Sequence, residues 1–350
     1  MDDIRESSYI RKLHDALADL HQFDIEFQNG GTHEELKDYF NRLWEFDVVL
    51  WFVNVPNVYE KIALKEKNPR MILVTSKNNL DSRYSYMELI AKMLSAKSNL
   101  MVEFNKSGVI LASVLDPLGN AYIMKESDIS KLAFVLAFRI LTLLGFTRIG
   151  SQRIAGEAII PNQPEFFQVG RELAETFHSL IHPEHTERFL GNMSFRCEHG
   201  FPSFREGDRI YVSRRNFDKR QIDANGFVAL EATAHNPIEY YGDAKPSVDA
   251  PIQLELYSTY RNVFYMIHSH VYVEGALFTD HPVPCGAVEE VDEIAKIMWD
   301  EQMTNMPVNL RGHGSIVFAA EPSYFKTIKY MARPCPEKVP TTLNGTGHLL

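Results

Sequence analysis

Two histidines separated by one residue carry the strongest chemical signal in the sequence. His268 and His270 follow an apolar run at residues 263–267, which predicts a buried strand. Because alternate side chains of a strand point to the same face, we expect the two imidazoles to lie side by side. Imidazole nitrogens are common ligands of divalent cations, so this pair can supply two ligands of a metal site.

Two further residues extend this pair to a candidate ligand set. His313 lies between Gly312 and Gly314, and glycines on both sides allow a close approach of the backbone. Asp249 stands at the first turn of a helix predicted at residues 250–260. Three imidazoles and one carboxylate suit Zn²⁺, with Mn²⁺ or another first-row ion as alternatives. A buried neutral histidine can equally hydrogen-bond to the backbone, so the spacing alone leaves both interpretations open.

The overall composition narrows the classes of partner. The 350 residues include 36 Lys and Arg against 46 Asp and Glu, a net charge of −10 that repels a nucleic-acid backbone. The three cysteines, Cys197, Cys285 and Cys335, are too widely spaced to indicate a disulfide framework or a thiolate zinc site. We therefore expect a small-molecule substrate, no nucleic-acid partner, and a reducing, cytoplasmic location. Cys285 is expected to be a small buried hydrophobic residue.

No segment has the pattern of a signal peptide or of a membrane span. Charged residues interrupt residues 1–20, and Arg139 interrupts the longest apolar run, at residues 132–146. A signal peptide needs an uninterrupted apolar region, and a spanning helix needs about 18 consecutive apolar residues. The sequence therefore predicts no membrane partner.

Length and patterning predict an α/β protein with two domains. Residues 1–150 are predicted to form a Rossmann-like α/β domain, because apolar runs at residues 47–55 and 71–75 are typical of buried parallel strands. The other elements predicted in this domain are helices at 32–45 and 129–144 and strands at 23–27, 100–104 and 109–114.

A Pro-containing polar stretch at residues 151–165 predicts a linker, which leads into a second α/β domain at residues 166–334. Residues 335–350 are predicted to be a tail that is flexible or packs on a neighbour. The second domain is predicted to contain helices at 166–182, 250–260 and 288–305 and strands at 209–212, 227–231, 263–270 and 314–319.

Five short motifs are spread over residues 163–333. They are Gly191-Asn192-Met193-Ser194, Val212-Ser213-Arg214, Lys245-Pro246-Ser247-Val248-Asp249, His268-Ser269-His270 and Gly312-His313-Gly314. In their order and spacing these motifs resemble the class II aldolase/adducin family. The resemblance implies a three-layer α/β/α fold, a cyclic homotetramer with the active site at a subunit interface, and a divalent metal ligated by His268, His270 and His313.

The resemblance also implies a reaction. Family aldolases have a Glu that serves as acid/base at the position of Asp249, whereas epimerases of the family have an Asp that joins the metal. We therefore expect a metal-dependent lyase that cleaves a small hydroxy-carbonyl compound through a metal-stabilised enediolate. Asp249 is the predicted catalytic residue, with its role as ligand or as acid/base left open.

The anion-binding motifs match the family only in part. Asn192, Ser213 and Ser247 agree with the residues that bind the substrate phosphate, whereas Arg214 stands where Gly is usual and Val248 replaces a Ser. A carboxylate paired with Arg214 is therefore one interpretation of the substrate anion. A solvated surface pair of Arg214 with Arg215 explains the same residues equally well.

Other functions are compatible with the same motifs. A non-catalytic, adducin-like interaction module keeps the fold without the chemistry. A decarboxylase, a dehydratase or an epimerase would use the same metal site, although Asp280 precedes Pro284-Cys285 at a spacing unlike that of the family's epimerases.

The N-terminal domain carries a second resemblance. Residues 47–57, Lys61 before Asn68-Pro69, and Asn120 ahead of Lys131 make residues 23–145 similar to the later half of phosphopantothenate-cysteine ligase domains. The glycine-rich loop that would hold a nucleotide is reduced to residues 30–32. We therefore favour a scaffold without ligase activity, in a regulatory or interface role.

Overall fold

The computed structural model describes residues 8–18, 25–29, 46–52, 71–156, 158–181, 191–196, 209–231 and 236–341. The chain divides into two compact units, one of Met1–Gly145 with Pro334–Leu350 and one of Phe146–Arg333. None of the helices in the described ranges is both long enough and apolar enough to cross a membrane.

The first unit is an α/β domain built on a seven-stranded sheet. Strands β1 to β4 are parallel, as the apolar runs predicted, and β5 and β6 continue the sheet in antiparallel fashion. The elements are α1 (Ser8–Ala18), β1 (Ile25–Asn29), β2 (Val48–Phe52), β3 (Ile72–Asn78), α2 (Tyr86–Ala96), β4 (Leu100–Ser107), β5 (Val109–Leu115), β6 (Asn120–Glu126) and α3 (Ile129–Gly145). The predicted helix at 32–45 and the loop at 30–32 lie outside the described residues.

Apolar burial and capping explain these elements. The β-branched and leucine residues of β2 and β3 are almost entirely buried, as expected for strands covered on both faces. Helix α2 begins at a capping box, in which the Ser85 side chain accepts from the Glu88 amide and the Glu88 carboxylate accepts from the Ser85 amide. The Ser85 side chain thus satisfies the Glu88 amide, one of the first amides of the helix that have no partner within it.

The second unit is an α/β domain built on a nine-stranded sheet. Its elements are β7 (Ser151–Arg153), α4 (Pro164–Ile181), β8 (Asn192–Arg196), β9 (Arg209–Ser213), β10 (Phe227–Glu231), β11 (Ile238–Tyr240), α5 (Ala250–Thr259), β12 (Tyr265–Ser269), β13 (Tyr272–Val273), β14 (Leu277–Phe278), α6 (Glu289–Ala295), β15 (Met306–Leu310), β16 (Gly314–Ala319) and β17 (Tyr330–Met331). The strand order in the sheet is β14-β15-β16-β12-β8-β9-β10-β11-β7. Strands β13 and β17 form a separate pair.

Alternate residues of this sheet face two separate cores. Ile210 and Val212 of β9 pack in the core that contains α5 and α6, whereas Tyr211 of the same strand packs with Phe166 of α4. A sheet covered by helices on both faces is a three-layer α/β/α arrangement, which confirms the predicted fold class.

The domain boundaries differ from the sequence prediction. The predicted linker at 151–165 contains β7, which pairs with β11 in the second unit, and it ends in the first turn of α4. The predicted tail contains a strand, β18 (Glu337–Lys338), which pairs in parallel with β6 of the first unit. An apolar pattern in the sequence cannot predict such short strands, because backbone hydrogen bonds rather than apolar periodicity fix them in a sheet.

The predicted helix at 288–305 is shorter than expected. Helix α6 ends at Ala295, and residues 306–310 form β15, antiparallel to β16. Residues 296–305 form turns instead of a continued helix, and these turns bury the apolar side chain of Met298. The Tyr260 hydroxyl donates to the Met298 carbonyl oxygen.

Gly314 allows the start of β16 to approach the end of β12. A Cβ atom at Gly314 would lie 2.0 Å from the Ser269 carbonyl oxygen and 2.7 Å from the His270 Cα atom, and the residue has φ of +149°. Backbone atoms occupy this space, so a side chain cannot be accommodated by a rotamer change.

We expect Gly314→Ala to destabilise the chain by at least about 3 kcal/mol, because the methyl group must displace β12. Gly242→Ala is the matched control: Gly242 has φ of +97°, but no atom lies within 4 Å of the place that an added methyl group would take. It should cost only about 1 kcal/mol. Urea unfolding followed by circular dichroism measures both, and equal losses would contradict the close approach.

Candidate metal centre

Three histidine side chains converge at the end of β12. His268 lies in β12, His270 follows that strand directly, and His313 lies in the turn before β16. One nitrogen of each imidazole lies within 4.8 Å of the others. The ring centroids are 5.2 Å apart for His268 and His270, 4.6 Å for His268 and His313, and 5.0 Å for His270 and His313. This spacing places three donors around one small volume.

The hydrogen bonds of two imidazoles fix which nitrogen is free to ligate. His268 Nδ1 lies 2.9 Å from the Ser315 carbonyl oxygen, and His313 Nδ1 lies 2.7 Å from Glu290 Oε1. Because a carbonyl and a carboxylate accept, each Nδ1 carries the proton of the neutral imidazole, and in that form each Nε2 presents a lone pair. Both Nε2 atoms are buried and have no hydrogen-bond partner within the described part of the chain.

These orphaned nitrogens fit a divalent ion. An unsatisfied polar atom costs about 1–3 kcal/mol when buried, so two in one cluster are an unfavourable arrangement without a ligand. Metal-bound histidines in proteins usually donate their second N–H to a carbonyl or carboxylate, as His268 and His313 do. The residues of the triad therefore suit a metal through Nε2 of His268 and His313, with His270 as the third donor.

Burial keeps two of the three imidazoles, those of His268 and His270, ready for ligation. Burial and the neighbouring His313 lower the pKa of His268 to about 4, and the same causes lower the pKa of His270 well below its usual value. Burial opposes the protonation of His313, but the carboxylates of Glu290 and Asp249 together outweigh it, so that the pKa of His313 is raised. His268 and His270 are thus neutral over the range in which an exposed histidine titrates.

Asp249 lies beside the triad without belonging to its group of close donors. It is buried at the start of α5, where the Asn192 side chain donates to Oδ2 at 2.8 Å and the Cys285 thiol donates to Oδ1 at 3.2 Å. Ser247 Oγ lies 3.4 Å from Oδ2. Each carboxylate oxygen therefore has a donor of its own, which holds the group in one orientation.

Asn192 connects Asp249 to the histidine strand. It is the first residue of β8 and pairs in register with His268 of β12. The side-chain oxygen of Asn192 accepts from the side-chain amide of Gln253, so the NH₂ group of Asn192 donates to Asp249. The amide orientation is thereby determined by its two partners.

The remaining predicted anion-binding residues have separate surroundings. Ser213 is fully buried, and its hydroxyl accepts from the Met193 amide at 3.1 Å. Arg214 forms a backbone bridge with Pro246, and its Nε is buried with no partner among the described residues. The structure thus places Asn192 and Ser247 against Asp249. Ser213 instead bonds to the backbone. Within the described residues, Arg214 forms no hydrogen bond to any of the three histidines.

Sequence reasoning missed several neighbours of this centre. Glu290 and Gln253 lie on α6 and α5, and their roles depend on how these helices pack, which no local pattern encodes. Cys285 is only partly buried and donates to Asp249, so its predicted role as a buried hydrophobic residue is incomplete. His281 pairs with Glu293 and stands outside the triad.

A family model of known proteins matches a segment that lies within the second unit. Residues 171–331, slightly less than half of the chain, match the family model for the Class II Aldolase and Adducin N-terminal domain. This match confirms the resemblance found in the five motifs. No curated protein sequence matches the chain.

Several solved structures are similar to parts of the chain. A sugar-phosphate aldolase from Thermotoga maritima has 13% identity and a TM-score of 0.33, over 45% of this chain and 88% of that one. The N-terminal class II aldolase domain of a conserved protein from Thermoplasma acidophilum has 13% identity and a TM-score of 0.34, over 49% of this chain and 91% of that one. The DNA/pantothenate metabolism flavoprotein from Streptococcus pneumoniae has 11% identity and a TM-score of 0.31, over 39% of this chain and 87% of that one.

Replacement of His268 or His313 by Ala should abolish tight binding of a divalent ion, because each removes an Nε2 donor. We expect about one Zn²⁺ or Mn²⁺ per unmodified chain, measured by metal analysis after dialysis. His281→Ala is the matched control and should retain the ion, since His281 pairs with Glu293. The site would be contradicted if the unmodified protein stayed metal-free after Zn²⁺ or Mn²⁺ was added, or if His281→Ala lost the ion to the same extent.

The metal-free protein should lose stability as the pH falls from about 6.5 towards 4. The pKa of His268 is lowered in the folded state, so the unfolded chain binds more protons in this window. The loss should reach about 3 kcal/mol from His268 alone. His268→Asn should flatten this dependence, whereas His281→Ala should preserve it; urea unfolding at each pH tests both, and equal slopes in all variants would refute the assignment.

Proposed function

We propose that residues 146–333 form a divalent-metal-dependent lyase of the class II aldolase type, acting on a small hydroxy-carbonyl compound. The observation that carries this proposal is the convergence of a third imidazole with two buried Nε2 atoms that have no hydrogen-bond partner among the described residues. The match of residues 171–331 to the class II aldolase and adducin family supports it.

The three histidines would hold the ion, most simply Zn²⁺, which suits nitrogen ligands and tetrahedral geometry. When bound, such an ion supplies Lewis acidity towards a carbonyl and its neighbouring hydroxyl. Glu290 holds the Nδ1 proton of His313, and the Ser315 carbonyl holds that of His268, so both rings keep their Nε2 lone pairs directed inward.

Asp249 is the residue proposed to move the proton. Its separation from the close donor group favours an acid/base role over ligation. Asn192 and Cys285 hold its two oxygens, so that the carboxylate is oriented before substrate binds. Transfer of a proton to or from an Asp249 oxygen would accompany the cleavage or formation of the carbon–carbon bond.

The alternatives differ in what leaves the substrate. A decarboxylase or dehydratase would use the same histidines and the same Asp249, and only a substrate test separates them from an aldolase. An adducin-like interaction module has no need for oriented imidazoles whose buried Nε2 atoms have no partner in the described part of the chain. Homotetramer formation and a cytoplasmic location stay predictions of the sequence.

Asp249→Asn should reduce turnover by at least about 100-fold and leave the metal content unchanged, because the amide keeps the shape of the carboxylate and one acceptor oxygen for Asn192 but cannot exchange a proton. The assay is a panel of aldol, hydroxy-acid and keto-acid substrates with Zn²⁺ or Mn²⁺. Asp243→Asn alters an exposed carboxylate of the same segment and should have no effect.

Two outcomes would contradict the proposal. Loss of metal in Asp249→Asn would make Asp249 a ligand instead of the acid/base. Absence of turnover of every substrate by metal-loaded protein would favour the interaction module.

A further inference from the structure

One row of residues crosses three neighbouring strands at the candidate metal centre. His268 of β12 pairs with Asn192 of β8. Strand β8 pairs in antiparallel fashion with β9, and the Met193 amide donates to the Ser213 hydroxyl at 3.1 Å in the same register. This register sets Asn192 opposite Arg214, the residue that follows β9 directly. Arg214 is thus the third member of the row that begins with His268.

The side chain of Arg214 leaves the sheet on the face that carries His268. Opposite residues of paired strands point to the same face, and so do residues two apart along one strand. Val212, two residues before Arg214, packs in the core that contains α5 and α6, and so does Met266, two residues before His268. Because neighbouring strands are about 4.8 Å apart, the backbones of Arg214 and His268 are separated by about 10 Å.

Backbone contacts hold Arg214 against the segment that leads to Asp249. Arg214 forms an antiparallel bridge with Pro246, and the Ser247 amide donates to the Ser213 carbonyl oxygen at 3.1 Å. Asp249 follows two residues after Ser247, at the start of α5. The Arg214 side chain therefore begins from a fixed position beside the proposed acid/base residue.

The guanidinium of Arg214 has an open binding fork. Its Nε is buried, and the side chain forms no hydrogen bond or ion pair within the part of the chain that the structure describes. Arg215, in contrast, donates its Nε to the Pro246 carbonyl oxygen at 3.2 Å, so the two arginines do not form an equivalent solvated pair. Arginine is always charged and carries five N–H donors, and a buried donor without an acceptor is costly. Arg214 therefore suits an anionic ligand.

The neighbours of Arg214 favour a ligand with a single negative charge. The side chains of Asn192 and Ser247 already contact the Asp249 carboxylate, at 2.8 and 3.4 Å. Val248 is 40% exposed and has no side-chain donor. A phosphate dianion would meet the repulsion of Asp249 with few donors to offset it. A planar carboxylate matches two parallel N–H groups of one guanidinium.

Resting on the function proposed above, we propose that Arg214 binds a carboxylate at the end of the substrate remote from the metal. The substrate is then a hydroxy-carbonyl compound with a carboxylate tail. The ion at the histidines would take the hydroxy-carbonyl head, and Arg214 would take the tail. Asp249, bonded to the intervening Asn192, would lie beside the reacting carbons.

Titration calorimetry of the zinc-loaded full chain with three hydroxy-ketones tests this assignment. The compounds are δ-hydroxylevulinate, its methyl ester and dihydroxyacetone phosphate, which share one head and carry a carboxylate, a neutral and a phosphate tail. We expect δ-hydroxylevulinate to bind at least about tenfold more tightly than either of the others, because only its tail matches the fork in shape and charge.

Arg214→Met should weaken the binding of δ-hydroxylevulinate at least about tenfold, while the zinc content and the affinity for the methyl ester stay unchanged. Arg214→Lys keeps the charge but loses the fork, so it should bind with intermediate affinity. Arg153→Met is the matched control: Arg153 is exposed and pairs with Asp243 at 2.7 Å. This control should bind δ-hydroxylevulinate as the unmodified protein does.

Each contrary result is distinct. Unchanged binding of δ-hydroxylevulinate by Arg214→Met overturns the role of Arg214. Equal affinity of the unmodified protein for the acid and its ester overturns the carboxylate site, even if Arg214→Met does not fold. Dihydroxyacetone phosphate that binds as tightly as the acid and depends equally on Arg214 overturns the choice of a carboxylate. Failure to bind zinc, or to bind any of the three compounds once zinc is loaded, overturns the proposed function itself.

Discussion

The antiparallel pairing of β12 with β16 is the constraint on which the candidate site depends. It sets His268 against Ile316 and brings the turn that carries His313 over the end of the histidine strand. Gly314 makes this approach feasible, because any side chain there would collide with the backbone of Ser269 and His270. On the other side of β12, the pairing with β8 sets Asn192 opposite His268 and so brings Asp249 within reach.

Burial then determines the chemistry of the assembled groups. It keeps His268 and His270 neutral. It also makes the Nε2 atoms of His268 and His313, which lack a partner among the residues that the structure describes, costly unless they bind a ligand. Asp249, by contrast, has a donor on each oxygen, so its carboxylate is satisfied and oriented without a metal. The difference between orphaned imidazoles and a satisfied carboxylate is the physical basis for giving them different roles.

Much of this arrangement could be predicted from residue types and spacing. The apolar runs predicted the parallel strands β2 and β3, and the spacing of His268 and His270 predicted neighbouring imidazoles. Glu290 and Gln253 could not be found in this way, because their places depend on how α6 and α5 pack against the sheet. Strands β7 and β18 were missed because two or three backbone pairings leave no pattern in the sequence.

X-ray absorption spectroscopy of the zinc-loaded protein tests the central claim most directly. We predict imidazole scattering from three histidines, with Zn–N distances of about 2.0–2.1 Å. That signal should fall in His313→Ala and persist in His281→Ala. A sulfur scatterer at about 2.3 Å, as expected if Cys285 were a ligand, or a spectrum without imidazole scattering would contradict it.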